Sequence, residues 1–120
     1  MWRYDRALDR YEADKYAAMF TADGSFGELK GREALRKMIA DYAGRPAGPP
    51  KTQHASTNHW IEFTSPDRAL IHYYWQTYRL VGPSLETPPS LIAAGNGLDE
   101  VVKQGGKWFY KNRSVSAPND

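Results

Sequence analysis

From residue 52 onward the chain is dominated by four long stretches rich in β-branched and aromatic residues, with turn residues between them. Residues 52–64 read as one strand, and Ser65-Pro66-Asp67 supplies a hairpin turn. Residues 68–81 read as a second strand, 82–89 as a mobile proline-containing loop, and 90–104 as a third strand. Gly105-Gly106 turns the chain tightly into a fourth strand over 107–116. The first half is patterned differently. Tyr4, Leu8 and Tyr11 recur at helical spacing, followed by Tyr16, Met19 and Phe20, so the first twenty residues read as helical. Ala22-Asp23-Gly24-Ser25 is turn chemistry and precedes a short extended piece over 25–29. Gly31 opens a further helix with Leu35, Met38, Ile39 and Tyr42 on one face, and Gly44 stops it. Three prolines make residues 45–51 a loop, because proline is excluded from helix interiors. Helices first and long antiparallel strands afterwards predict an α+β fold, with the helices packed on one face of a curved sheet.

Composition narrows the class. At 120 residues the chain is expected to form one domain spanning 1–120. No apolar run approaches the ~18 residues a membrane helix needs, and the N-terminus lacks an apolar signal core, so no membrane contact is expected. The absence of cysteine removes disulfides, thiol nucleophiles and Cys-ligated zinc, and fits a cytoplasmic protein. A net charge of +2, spread along the chain, lacks the basic stripe of a nucleic-acid binder.

Alternation assigns faces within the strands. In the second strand Ala69, Ile71, Tyr73, Trp75 and Thr77 are expected to face the helices, and Leu70, His72, Tyr74, Gln76 and Tyr78 to form a surface or a subunit interface. In the third strand Ile92, Ala94, Asn96, Leu98 and Val102 are the expected inward set. In the first strand Ile61 and Phe63 look buried while His54 has the opposite parity. Either His54 faces outward or a bulge lies between them.

Few side chains here are suited to chemistry. His54, His59 and His72 are the three histidines, and no His-x-x-x-His pair, phosphate loop or nucleophile elbow occurs. What remains is acid–base chemistry, in which a carboxylate accepts one imidazole N–H, fixes the tautomer and offsets the charge of the imidazolium. Asp5, Asp9, Glu12, Asp14 and Asp23 are the candidate carboxylates, and spacing alone does not choose among them.

Taken in order, Tyr4, Asp9, the Phe20–Phe26 segment, Gly31-Arg32-Glu33-Ala34-Leu35, His54 with Asn58, Asp67-Arg68-Ala69 and Gly106-Lys107-Trp108 resemble the SnoaL-like group of the NTF2-like superfamily over nearly the whole chain. The resemblance implies a cone in which helices close one side of a curved antiparallel sheet around a deep pocket. Scytalone dehydratase, hexachlorocyclohexane dehydrochlorinase and bile acid 7α-dehydratase belong to this superfamily and use a His–Asp pair there to abstract a proton. Carried over, the resemblance makes His54 the general base and Asp9 its partner. Tyr4 would be a hydrogen-bond donor, and Arg113 or Asn96 would stabilise negative charge. Phe26, Thr52, Trp75, Thr77, Ile92, Ala94 and Asn96 would line the pocket.

The expected activity is that of a cofactor-independent and metal-independent lyase or isomerase acting on a small hydrophobic molecule. The alternatives are a non-catalytic binding or oligomerisation module of the same fold, and a polyketide-cyclase-like enzyme. A homodimer or homotrimer is expected, with no nucleic-acid partner. One tension is geometric: on a straight helix Tyr4 and Asp9 lie ~140° apart, so both reach one pocket only if its mouth is wide or the helix bends.

Overall fold

The first twenty residues do not form a single helix. The computed structural model describes residues 1–82 and 87–119, and in it α1 (Trp2–Asp9) and α2 (Ala13–Ala18) are separated at residues 10–12. The break is a Schellman stop: Glu12 N–H donates to Ala7 O at 2.9 Å and Tyr11 N–H to Leu8 O at 3.1 Å. Tyr11 stands at the left-handed position, with φ 55°. A non-glycine residue is strained there. The Tyr11 hydroxyl donates to Pro50 O, which ties this corner to the loop before the sheet.

β1 (Phe20–Phe26), β2 (Leu29–Lys30) and α3 (Arg32–Ala43) follow, then β3 (Thr52–Ser65), β4 (Arg68–Arg79), β5 (Ser90–Gln104) and β6 (Lys107–Ser116). The sheet order is β2-β1-β6-β5-β4-β3. All neighbours pair antiparallel except β1 and β6, which run parallel, so the expected α+β sheet is mixed. Ala22-Asp23-Gly24-Ser25, expected as a turn, lies inside β1. Its turn chemistry is used in an irregularity: Phe20 pairs with Tyr110 and Ser25 with Asn112, so several β1 residues bulge from the ladder. The proline-containing loop expected at residues 82–89 lies partly outside the described residues. No helix among the described residues is long and apolar enough to cross a membrane.

The helices cover the concave face of the sheet. Tyr4, Ala7, Tyr16, Phe20, Leu35, Ile39, Ala69, Val101 and Tyr110 form the core. Full burial of a side chain such as Leu35, Ile39 or Phe20 contributes about 1.5–3 kcal/mol. Aromatic rings make up much of this core: Tyr4 lies 5.0 Å from Tyr16 and 5.5 Å from Tyr110, centroid to centroid.

Two irregularities decide which side chains face inward. In β3 the register with β4 shifts between Thr57 and Trp60, and Asn58 adopts φ 54°. This bulge settles the parity conflict. His54 pairs with Thr77 and Ile61 with Ile71, so both stand on the helix side although their spacing is odd. Ile61 and Phe63 nevertheless remain exposed, on the edge strand of the sheet. In β6 Tyr110 pairs with Val101 and Asn112 with Glu100. Lys111 is the extra residue, and both Tyr110 and Arg113 are therefore buried. Substituting Asn58 tests the first bulge: Asn58→Gly should be near neutral, whereas Asn58→Val should cost about 1–2 kcal/mol in urea unfolding, the penalty of a left-handed residue with a branched Cβ.

One face assignment needs correction. In β5 the inward residues are Gly95, Gly97, Asp99 and Val101, opposite Trp75, Tyr73, Ile71 and Ala69. Ile92 is exposed at the register shift between Leu91 and Ala93, and Leu98 is exposed on the outer face. Ala94 and Asn96 share that face, and only Val102 of the expected set is buried. The reason is steric. A Cβ on Gly97 would run into the Tyr73 ring, and one on Gly95 would meet the Trp75 ring and Ser116 O. The glycines therefore lie beneath the inward aromatic rings, and the larger β5 residues point outward.

Candidate active site

Between α1, α3 and the concave face lies a cavity of about 370 Å³. That is large enough for a small organic molecule. Its rim and walls are mainly apolar: Leu8, Phe26, Met38, Tyr42, Pro50, Trp75 and Val115. Its polar residues are Tyr4, Asp5, Tyr11, Tyr16, Thr52, His54, Ser56, Tyr73, Thr77 and Arg113.

His54 occupies β3, which is the edge strand of the sheet. An edge strand leaves backbone N–H groups without a neighbouring strand. The Asp9 carboxylate, at the C-terminal end of α1, takes one of them: His54 N–H donates to Asp9 Oδ1 at 3.0 Å. The same oxygen lies 2.7 Å from His54 Nδ1. Asp9 thus holds both the backbone and the ring of His54. With Nδ1–H donating to the carboxylate, the neutral ring carries its lone pair on Nε2. Among the described residues Nε2 has no hydrogen-bond partner. Asp9 itself does not line the cavity; it stands behind the imidazole.

One turn earlier on α1, Asp5 repeats the contact: Ser56 Oγ donates to Asp5 Oδ1 at 3.1 Å. Burial lifts the Asp5 carboxyl above its ordinary range, while the Ser56 hydrogen bond and the charges of Arg113 and His54 pull the other way.

The floor is built around Arg113, which is 2% exposed. Its Nε donates to Asp99 Oδ1 at 2.8 Å and its Nη2 to the Tyr73 hydroxyl at 2.6 Å. The guanidinium carbon lies 3.6 Å from the Tyr4 ring centroid, and the Tyr4 and Tyr16 hydroxyls are 2.8 Å apart. Burial opposes the charge on Arg113, but the surrounding tyrosines and Asp99 hold its pKa well above the ordinary arginine value. Burial also pushes the Tyr4, Tyr16 and Tyr73 hydroxyls up, so they are neutral donors rather than bases.

Of the residues singled out in the sequence, His54, Tyr4, Arg113, Phe26, Thr52, Trp75 and Thr77 line this cavity, with Asp9 directly behind His54. Ile92, Ala94 and Asn96 do not. Ala94 and Asn96 lie on the opposite face of β5, Ile92 stands at the register shift near the start of that strand, and Asn96 Nδ2 instead donates to Ala117 O and Pro118 O. Tyr4 and Asp9 are both used although they diverge on α1, because Tyr4 points to the floor and Asp9 toward the strand edge. Sequence reasoning misses Ser56 and Tyr16, counts Asp5 only among several candidate carboxylates, and places Tyr73 on the inward face without a role at the site. Asp5 and Ser56 carried a legible signal, since Asp5 precedes Asp9 by one helical turn and Ser56 follows His54 on the same strand face. Among the described residues no cluster of three or more His, Asp or Glu side chains is placed to hold a metal ion.

Solved structures with the same architecture are numerous. A protein of unknown function from Mycobacterium tuberculosis superposes with a TM-score of 0.81 at 22% identity, over 96% of this chain and 69% of that one. A protein of unknown function with a cystatin-like fold from Nostoc punctiforme gives 0.76 at 23% identity, over 99% and 89%. A provisionally assigned scytalone dehydratase from Novosphingobium aromaticivorans gives 0.75 at 25% identity, over 96% and 76%. No curated protein sequence matches the chain. The family model of the SnoaL-like domain matches residues 1–114, and the chain belongs to that family.

Proposed function

We propose that this chain is a cofactor-independent lyase or isomerase that removes a proton from carbon in a small, largely apolar substrate. The observation that carries the reading is the 2.7 Å contact between His54 Nδ1 and Asp9 Oδ1 beside the cavity. It presents Nε2 as the base and leaves Asp9 to offset the imidazolium that forms. The cationic floor at Arg113, stacked on the Tyr4 ring and flanked by the neutral, mutually bonded Tyr4 and Tyr16 hydroxyls, supplies positive potential where a substrate carbonyl oxygen gains negative charge. Leu8, Phe26, Met38 and Trp75 hold the apolar body of the substrate.

A second reading, a small-molecule-binding module without turnover, is favoured by one feature. The Tyr4 hydroxyl and the Arg113 guanidinium already have protein partners in Tyr16, Tyr73 and Asp99. Assembly into a homodimer or homotrimer through the outer sheet face belongs to the same proposal. Trp60, Tyr74 and Leu98 are exposed there, and sedimentation tests it.

The lyase reading is tested with 4-hydroxy-4-phenylbutan-2-one, whose elimination product absorbs in the near ultraviolet. His54→Ala and Asp9→Asn should each reduce turnover about 10²- to 10⁴-fold, the usual contribution of a positioned base. Full activity in His54→Ala overturns the assignment.

A further inference from the structure

α1 and β3 meet in matched steps. One helical turn, from Asp5 to Asp9, advances ~6 Å, and two strand residues, from His54 to Ser56, advance ~6.6 Å. The two carboxylates therefore fall opposite two successive inward residues of β3, Asp9 on His54 and Asp5 on Ser56. The rungs are not equivalent. Asp9 lies behind the imidazole, whereas Asp5 lines the cavity itself, alongside His54. Asp9 accepts two N–H groups and Asp5 only the Ser56 hydroxyl. Burial raises the Asp5 carboxyl above its ordinary range, the direction a proton donor needs.

We propose that Asp5 is a catalytic carboxyl group, the general acid that protonates an oxygen leaving group while His54, positioned by Asp9, acts as base. The inference rests on the lyase reading and adds the class of substrate: a β-hydroxy carbonyl compound, whose hydroxyl departs poorly without a proton. His54 Nε2 takes the proton from the carbon next to the carbonyl. The C–H electron pair becomes the C=C bond, the C–O bond breaks, and the Asp5 carboxyl delivers its proton to the departing oxygen, which leaves as water. Asp5 is then a carboxylate beside an imidazolium. Transfer of that proton back to Asp5 restores both groups, so the cycle consumes no acid and no base.

The groups facing Asp5 are His54 and Ser56 from β3, Arg113 from β6, and the amino terminus ahead of α1. Burial outweighs them and raises the Asp5 pKa. A carboxyl whose folded pKa exceeds its unfolded value binds more protons in the folded state. It therefore favours folding below the unfolded pKa and loses that contribution as pH rises through the folded pKa. Asp5→Asn, which keeps the acceptor for Ser56, should thus raise the Tm at pH 7, with the gain disappearing below about pH 4.

Two measurements decide the matter. Carbon-13 titration of the aspartate carboxyls in the free protein should show Asp5 titrating above the ordinary ~3.9 of aspartate. A value at or below that overturns the proposal. The second measurement compares 4-hydroxy-4-phenylbutan-2-one with its 4-nitrophenoxy analogue, whose leaving group needs no proton. Asp5→Asn should lose about 100-fold or more on the hydroxy compound and less than about 3-fold on the analogue, whereas His54→Ala loses both. Equal losses on the two probes, or none, overturn the role of Asp5 and leave the His54 reading standing. Absence of wild-type turnover on both probes overturns the lyase reading and this inference together.

Discussion

Replacing Arg113 with methionine while Asp99 remains is expected to cost about 3–5 kcal/mol of folding stability, because it leaves a buried carboxylate without its counter-charge. Asp99 is fully buried and pairs directly across the ladder from Arg113. Its other hydrogen-bond donor is the Tyr73 hydroxyl at 3.1 Å. The pair is not fully satisfied even in the native protein. Asp99 Oδ2 and Arg113 Nη1 are buried and have no hydrogen-bond partner among the described residues. A buried ion pair with unmet valences is a poor contributor to stability compared with apolar side chains of similar volume. The double variant Arg113→Met with Asp99→Leu should therefore recover most of the loss, to within about 1–2 kcal/mol of the parent protein. Urea unfolding of the two single variants and the double variant measures this, provided the slope stays constant. A single-variant loss below about 1 kcal/mol would contradict it. The double variant also separates two roles of the guanidinium. If it folds but no longer turns over a carbonyl substrate, the pair is retained for the potential it places beneath the cavity.

The second large effect is expected at Gly97. An added Cβ there overlaps the Tyr73 ring, and the ring is not free to swing aside. Its hydroxyl is held by Arg113 at 2.6 Å and by Asp99 at 3.1 Å. Gly97→Ala should therefore cost about 3 kcal/mol, the upper end of the overpacking range, and lower the Tm by roughly 10 °C. Combining it with Tyr73→Ala should remove the clash, so the two losses should be less than additive. Full additivity would mean that the backbone, rather than the ring, absorbs the extra methyl.

The contrast between β4 and β5 shows what strand alternation conveys and where it fails. In β4 Ala69, Ile71, Tyr73, Trp75 and Thr77 face inward, as their bulk and apolarity suggest. In β5 the same criterion selects the wrong parity, because it ranks Ile92 and Leu98 above Gly95 and Gly97. A glycine under an aromatic ring contributes to burial by having no side chain, and hydropathy does not register that. Asp99 is missed for a related reason: a charged residue scores as exposed until Arg113 is found across the strand. At residues 22–25 the turn chemistry is real, but it bends β1 within the sheet instead of ending it.

The amino-acid sequence by itself determined the placement of helices before the four long strands, the two glycine boundaries of α3, the hairpin turns and, through its resemblance to the SnoaL-like group, the pairing of Asp9 with His54. These follow from local periodicity, from the backbone demands of glycine and proline, and from motifs kept in order. Only the tertiary structure decided which face of β5 turns inward and how His54, Tyr110 and Arg113 come to share one face with their neighbours. The left-handed Asn58 in β3 and the extra Lys111 in β6 each shift parity by one, and a one-residue shift turns a strand's side chains to the opposite face. It also placed Asp5 beside His54, because the match between one helical turn and two strand residues exists only once α1 lies along β3.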